Sequence, residues 1–258
     1  MLSVTIIQSN LFWESVDQNL NQFEIKINLI SEKTDLIVLP EMFTTGFTMN
    51  PTQYAESHEG KGLCWMQVIA KNKNCALTGS ISVNDNGNYY NRLYWVYPDG
   101  TYKFYNKRHL FSMGNEPEHY VAGNEKIIVE YKGWKICPLV CYDLRFPVWS
   151  RNLKKDPYDI LIFVANWPAA RTYPWKQLLI ARAIENQCFV VGVNRVGDDG
   201  NKIGHSGDSL VINSRGEILS ATNSNEEITE TLDLNKQELL EFRKAFPVLN
   251  DGDHFEIN

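Results

Sequence analysis

The run LSVTIIQ at residues 2–8 is apolar enough to read as a buried strand, and the segment after it changes period. Val16, Leu20, Phe23, Ile27 and Ile30 recur at alternating spacings of four and three, which predicts one face of an amphipathic helix. TDLIVLPEMF then gives a short apolar run ending at Pro40, as a parallel strand buried on both faces would, with Glu41 at its carboxyl end. GLCWMQVIAKNK predicts a second helix. CALTGSISV, YYNRLYWVYP and TYKFYNK, split by the turn signals NDNGN and PDG, predict an antiparallel meander leading to Lys107. IIVEY and WKICPLV, split by KG, predict a hairpin that delivers Cys141 to a strand end. RFPVWSRNLKK predicts a short helix and YDILIFVAN a strand.

From Pro174 onward, Trp175, Leu178, Leu179 and Arg182 fall at helical spacing, with the proline suited to a first turn. FVVGVNRV reads as a strand, HSGDSLVINSRGEILSAT as a hairpin turning at NSRG, ITETLDL as a last strand, and NKQELLEFRKAFP as a helix that Pro247 stops. NRVGDDGNKIGHSGDS holds glycines without the strand-to-helix setting of a phosphate loop, and reads as a rim to a pocket. Strands and helices alternate at both ends while hairpins fill the middle, which predicts an α/β fold with a mixed sheet or two packed sheets. No linker or repeat divides the chain, so residues 1–258 are expected to form one domain. Ligands in such folds gather at the carboxyl ends of strands, where Glu41, Lys107 and Cys141 all fall.

Composition narrows the classes. A chain of 258 residues that is 43% hydrophobic can bury a large core. The 31 acidic residues outnumber the 25 basic ones, and no dense cluster of Lys and Arg is present to track a phosphate backbone, so nucleic acid is not an expected partner. MLSVTIIQSNLFW has neither the charged start nor the continuous apolar stretch of a secretory signal, and no apolar run reaches bilayer length. A cytoplasmic protein with no membrane partner is expected. Cys64, Cys75, Cys137, Cys141 and Cys188 are odd in number, spread out and set in apolar segments, which fits reduced thiols. Cys137 and Cys141 lie four apart, but no second Cys or His pair completes a zinc site, and no metal is expected. His109, His119 and His205 carry no local pattern of a papain-type cysteine-histidine pair and read as structural.

Taken singly, a cysteine in an apolar segment is most often inert packing, and a Glu or Lys at a turn is most often solvated. Three local words in order change that balance: LPEMF around Glu41, NKRHLF around Lys107 and LVCYDLRFP around Cys141. They resemble the nitrilase superfamily of carbon-nitrogen hydrolases. The likeness extends through GNEPEHYVAGN and NWPAARTYPWKQLLIARAIENQCFVVGVNRVG, nearly the whole chain, and CYDLRFP is similar to the ω-amidase branch.

The resemblance implies a four-layer α-β-β-α sandwich and a hydrolase that needs no cofactor. It implies Cys141 as nucleophile, Glu41 as base, Lys107 as the cation for the thiolate and the oxyanion, and the Tyr142 backbone N–H as a second oxyanion donor. It further implies a second glutamate, Glu116 in preference to Glu118. The implied substrates are small amides of 2-oxo acids, such as 2-oxoglutaramate or 2-oxosuccinamate. A nitrile, a carbamoyl compound or a deaminated-glutathione amide is the alternative within the class, and a non-catalytic metabolite-binding protein the alternative outside it. A substrate carboxylate entering a dry pocket needs a cation, for which Arg145 is the first candidate and Arg171 the second, with Phe43, Tyr142 and Trp167 as walls. The competing expectation for Arg145 is an ion pair with Asp143. Family members commonly form homodimers, and an aromatic surface around Trp149 or the C-terminal LNDGDHFEIN is the expected contact.

Overall fold

The structure is a computed structural model, and it describes residues 1–253, 255 and 256. The first half of the chain contains β1 (Leu2–Gln8), α1 (Val16–Asn28), β2 (Leu36–Val38), α2 (Pro51–Tyr54), β3 (Glu56–Ser57), α3 (Lys61–Lys73), β4 (Ala76–Asp85), β5 (Asn88–Val96) and β6 (Tyr102–Asn106). A short α4 (Glu116–His119) leads to β7 (Val129–Tyr131), β8 (Trp134–Val140), α5 (Pro147–Ser150), β9 (Ile160–Ala165), α6 (Thr172–Asn186) and β10 (Phe189–Asn194). The remainder holds β11 (Val196–Asp198), β12 (Gly204–Ser206), β13 (Leu210–Ile212), β14 (Ile228–Leu234) and α7 (Lys236–Ala245).

Two mixed sheets form. The first runs β14-β1-β2-β4-β5-β6, with β3 beside β4, and the second runs β13-β10-β9-β8-β7. β2 lies parallel between β1 and β4, and β9 parallel between β8 and β10, which explains the unbroken apolar runs of β2 and β9. Side chains alternate between faces with a period of two. Leu2, Val4 and Ile6 of β1, Leu36 and Val38 of β2, and Leu93 and Trp95 of β5 enter the core shared by the two sheets. Ile7, Ile37, Tyr94 and Val96, with the opposite parity, pack instead on Leu20, Phe23 and Ile27 of α1 and on Leu63, Met66 and Ile69 of α3. Trp175, Leu179 and Ala183 of α6 and Leu239 of α7 cover the second sheet. The layers are therefore α-β-β-α.

Two predicted elements are shorter than expected. RFPVWSRNLKK is helical only over α5 after a 3₁₀ turn at Cys141–Arg145. Buried Asn152 ends it, because its side-chain amide exchanges hydrogen bonds of 3.0 Å with both backbone groups of Tyr158 and closes a loop. The hairpin expected over HSGDSLVINSRGEILSAT turns at NSRG as predicted, with Asn213 N–H bonded to Glu217 O at 2.9 Å and Leu219 N–H to Val211 O at 2.8 Å, but its first strand is interrupted. Gly207 and Asp208 turn the chain at φ +74° and +56°, so that β12 pairs with β11 and β13 with β10, and a bridge from Ile212 to Ile218 joins the two arms of the hairpin. Trp149 presents no aromatic surface: it is buried, and its Nε1 donates to Tyr105 Oη at 3.0 Å. Of the other expected contact region, 249–258, residues 254, 257 and 258 lie outside the described residues.

Phe163 of β9 has no exposure and lies in the middle strand of the second sheet, in register with Gly192, whose face packs on Leu179 and Trp175 of α6. Phe163→Ala is expected to lower unfolding free energy by about 3–5 kcal/mol, read from urea denaturation, whereas a loss under about 1 kcal/mol would contradict its central placement.

Candidate active site

Glu41 stands three residues after β2, Lys107 directly after β6 and Cys141 directly after β8, and the packing of the two sheets brings these ends to one cleft. All three side chains are buried. Lys107 Nζ donates to Glu41 Oε1 at 2.9 Å and to Glu116 Oε2 at 2.8 Å. Asn91 of β5 donates through its side-chain amide to Glu41 Oε1 at 2.7 Å and to Glu116 Oε1 at 3.2 Å. Backbone N–H groups complete the two carboxylates, Asn166 to Glu41 Oε2 at 2.8 Å and Phe111 to Glu116 Oε2 at 2.6 Å. The Cys141 thiol lies within hydrogen-bonding reach of Glu41 and of the Asn166 N–H. Glu118, the other glutamate considered, is exposed.

The turn that carries Cys141 is strained and held. Cys141 adopts φ +44° and Met42, next to Glu41, φ +42°, left-handed conformations that cost a side-chain-bearing residue about 1–3 kcal/mol each. Buried Asp143 offsets the first by accepting from Val140 N–H at 3.0 Å, His109 N–H at 3.0 Å, His109 Nδ1 at 2.8 Å and Tyr105 Oη at 2.8 Å. This clamp ties the Cys141 turn to the segment bearing Lys107. It also engages Asp143 fully, and the ion pair considered for Arg145 is not formed. The Arg145 guanidinium lies instead 4.9 Å from the Trp167 ring centre.

Burial, and then the Glu41 charge, push the Cys141 thiol well above its ordinary pKa, outweighing Lys107. At rest the Cys141 side chain is thus a protonated thiol beside a carboxylate. Burial works against the Lys107 charge, but Glu116 and Glu41 outweigh it and raise its pKa. Glu116 is itself pushed up by burial in spite of Lys107.

A cavity of ≈ 420 Å³ opens beside Cys141, and Tyr142, Arg145, Trp167 and Arg171 line it together with Phe47 and Phe111. Arg171 stands 5.3 Å from the Phe111 ring centre and Lys107 5.1 Å from that of Phe47. The loop predicted as a rim contributes Asp199, Asn201, Ile203 and His205. Burial and nearby Arg195 lower His205 to about 4, so it is neutral at pH 7. Phe43 does not wall this cavity. It is fully buried between Phe23 and Trp65, at ring distances of 5.6 and 5.8 Å, on the helix-facing side of the first sheet. Glu41 and Glu116 are occupied by Lys107 and Asn91, and among the described residues no group of three His, Cys, Asp or Glu side chains is placed to hold a metal. No described helix is long and apolar enough to cross a membrane.

A sequence model of the carbon-nitrogen hydrolase family matches residues 3–243. The chain belongs to this family. Among its carbon-nitrogen hydrolase relatives, the ω-amidase YafV of Escherichia coli K12 is 45% identical over 256 residues, covering 99% of this chain and 98% of that protein. The 2-oxoglutaramate amidase of Bacillus subtilis 168 is 34% identical over 252 residues, 96% of each. A solved structure of a CN-hydrolase superfamily protein from Xanthomonas campestris, with an arsenic adduct in its active site, matches with a TM-score of 0.97 at 41% identity, covering 100% of this chain and 99% of that one. As a member of the family the protein is a hydrolase acting on carbon-nitrogen bonds.

For a carbon-nitrogen hydrolase, a thiol beside a carboxylate can lose its proton as it attacks, and a fixed ammonium can meet negative charge developing on oxygen. Sequence reasoning missed Asn91, Asn166 and Phe47, and weighed Asp143 only as an ion-pair partner for Arg145. Asn91 carried a usable signal: in YYNRLYWV it shares parity with Leu93 and Trp95, so a polar residue stands on the core-facing side of a strand.

If Glu41 takes the thiol proton, Glu41→Gln slows alkylation of Cys141 by iodoacetamide by about 100-fold or more at pH 7, while exposed Cys64 reacts unchanged. Peptide mass spectrometry reads both rates, and equal Cys141 rates would remove Glu41 from that role.

Proposed function

We propose that the protein is an ω-amidase that hydrolyses the terminal amide of small 2-oxo acid amides, such as 2-oxoglutaramate or 2-oxosuccinamate, to the dicarboxylic acid and ammonia. The observation that carries this reading is the pair of guanidiniums, Arg145 and Arg171, that face the Cys141 cavity from aromatic rings; no ion pair to a carboxylate is found for either among the described residues. A cation left without an anion in a partly dry cavity favours an anionic ligand, and Arg offers a carboxylate two parallel hydrogen bonds. The relatives named ω-amidase and 2-oxoglutaramate amidase support the same substrate class.

In this mechanism Cys141 Sγ attacks the amide carbon as its proton passes to Glu41. The carbonyl oxygen becomes an oxyanion facing Lys107 Nζ and the Tyr142 N–H. Glu41 returns the proton to the nitrogen, the C–N bond breaks, and ammonia leaves a thioester on Cys141. Glu41 then takes a proton from water as the water oxygen attacks that thioester. Collapse breaks the C–S bond, releases the acid and returns the proton to sulfur. Glu116 holds Lys107 in place, and Arg145 holds the distal carboxylate with Arg171 beside it.

The reading also takes residues 1–258 as one cytoplasmic domain acting as a homodimer without a cofactor. The family match over 3–243 and five unpaired cysteines support the first two parts.

Ammonia release from 2-oxoglutaramate is expected to exceed that from glutamine or a simple nitrile and to vanish in Cys141→Ala. Arg145→Met is expected to raise KM about 10- to 100-fold with a smaller change in kcat, as loss of a charge-assisted contact worth about 1.5–3 kcal/mol requires. A nitrile turned over in preference to every amide, or an unchanged KM, would reject the substrate or the arginine respectively.

A further inference from the structure

Asn91 bonds both buried carboxylates of the site from a position behind them. Its Nδ2 donates to the same Glu41 oxygen that Lys107 Nζ bonds, and to Glu116 Oε1, which Lys107 also reaches at 3.1 Å. Two donors, one charged and one neutral, thus bridge the same pair of carboxylates. The Asn91 carbonyl oxygen also accepts the backbone N–H of Lys107 at 2.9 Å, so one residue fixes Glu41, Glu116 and the root of Lys107. Asn91 is fully buried and does not line the cavity, and a substrate there would not meet it.

The chemistry of an amide suits this place. Its NH₂ can give one hydrogen to each carboxylate without adding charge, and turning the group over would set its carbonyl oxygen against both. An aspartate would add a third negative charge, and an aliphatic side chain would leave one ammonium to hold two carboxylates apart.

We propose that Asn91 is a positioning residue that holds the Glu41 carboxylate beside Cys141 by hydrogen-bonding it and bridging it to Glu116. This rests on Glu41 being the base for Cys141. A hydrogen bond to a carboxylate favours its ionised form, so loss of this donor both loosens the aim of the site and moves the pH range of thiol activation upward.

The test uses Cys64→Ser protein, which removes the exposed thiol, and follows iodoacetamide alkylation of Cys141 against pH in that background and in added Asn91→Ala or Asn91→Ser. The midpoint of the pH rise is expected to move upward by about one unit in the alanine variant and by less in the serine variant, which keeps one donor. For amide hydrolysis, kcat at pH 7 is expected to fall about tenfold with KM within about threefold, because a base no longer held in place is misaligned with Cys141. An unmoved midpoint in a folded variant overturns the proposal. So does failure of both variants to give native circular dichroism, which would make Asn91 a folding residue. A shifted midpoint in a protein that hydrolyses no 2-oxo acid amide leaves Asn91 in this role and removes the substrate reading alone.

Discussion

Two carboxylates and one ammonium, Glu41, Glu116 and Lys107, meet with no side-chain exposure at the mouth between two sheets. Removing one member of such a buried group leaves a charge without compensation, at a cost of about 3–5 kcal/mol, so the cluster has to be complete to exist. Its members come from separate segments: the end of β2, the end of β6 and the start of α4. Cys141 comes from the other sheet. The site therefore exists only when the sheets have packed, and the core between them is a condition for the chemistry as well as for stability.

The same burial sets the electrical character of the cleft. A thiol driven upward by its apolar surroundings and by Glu41 is kept as a thiol until a substrate arrives, which separates this site from one holding a ready-made thiolate. Farther out, the cations rest on rings: Arg145 on Trp167 and Arg171 on Phe111. Aromatic faces orient a guanidinium without neutralising it. His205 adds no charge near neutrality, because burial and Arg195 hold it neutral. An anion in the cavity meets guanidinium groups that stay charged across the physiological range.

Much of this was legible in the chain. Strand-like runs bounded by turn signals located β1, β4, β5, β8 and β9, helical spacing located α1 and α6, and the strand-end placement of Glu41, Lys107 and Cys141 followed from Pro40 and from the strand-like runs before the other two. What failed depends on contacts distant in sequence. Phe43 follows Glu41 by two residues, yet the Met42 turn sends it to the helix-facing core, and Phe47 takes the wall. The helix expected over RFPVWSRNLKK stops because Asn152 finds partners on Tyr158 and Asn186, which no local propensity encodes. For a similar reason Asn91 escaped notice and Asp143 was weighed only as a partner for Arg145. Their importance lies in how many segments they join, and only the folded chain states that.

The mechanism proposed for Cys141 requires a covalent acyl bond to its sulfur during turnover. The direct measurement is acid quenching of the wild-type protein within milliseconds of mixing with 2-oxoglutaramate, followed by mass spectrometry of the intact chain and its peptides. The account predicts a mass increase equal to the substrate acyl group, confined to the peptide holding Cys141 and absent from Cys141→Ala. Sustained ammonia release by a Cys141→Ala protein, with no adduct in either form, would contradict it.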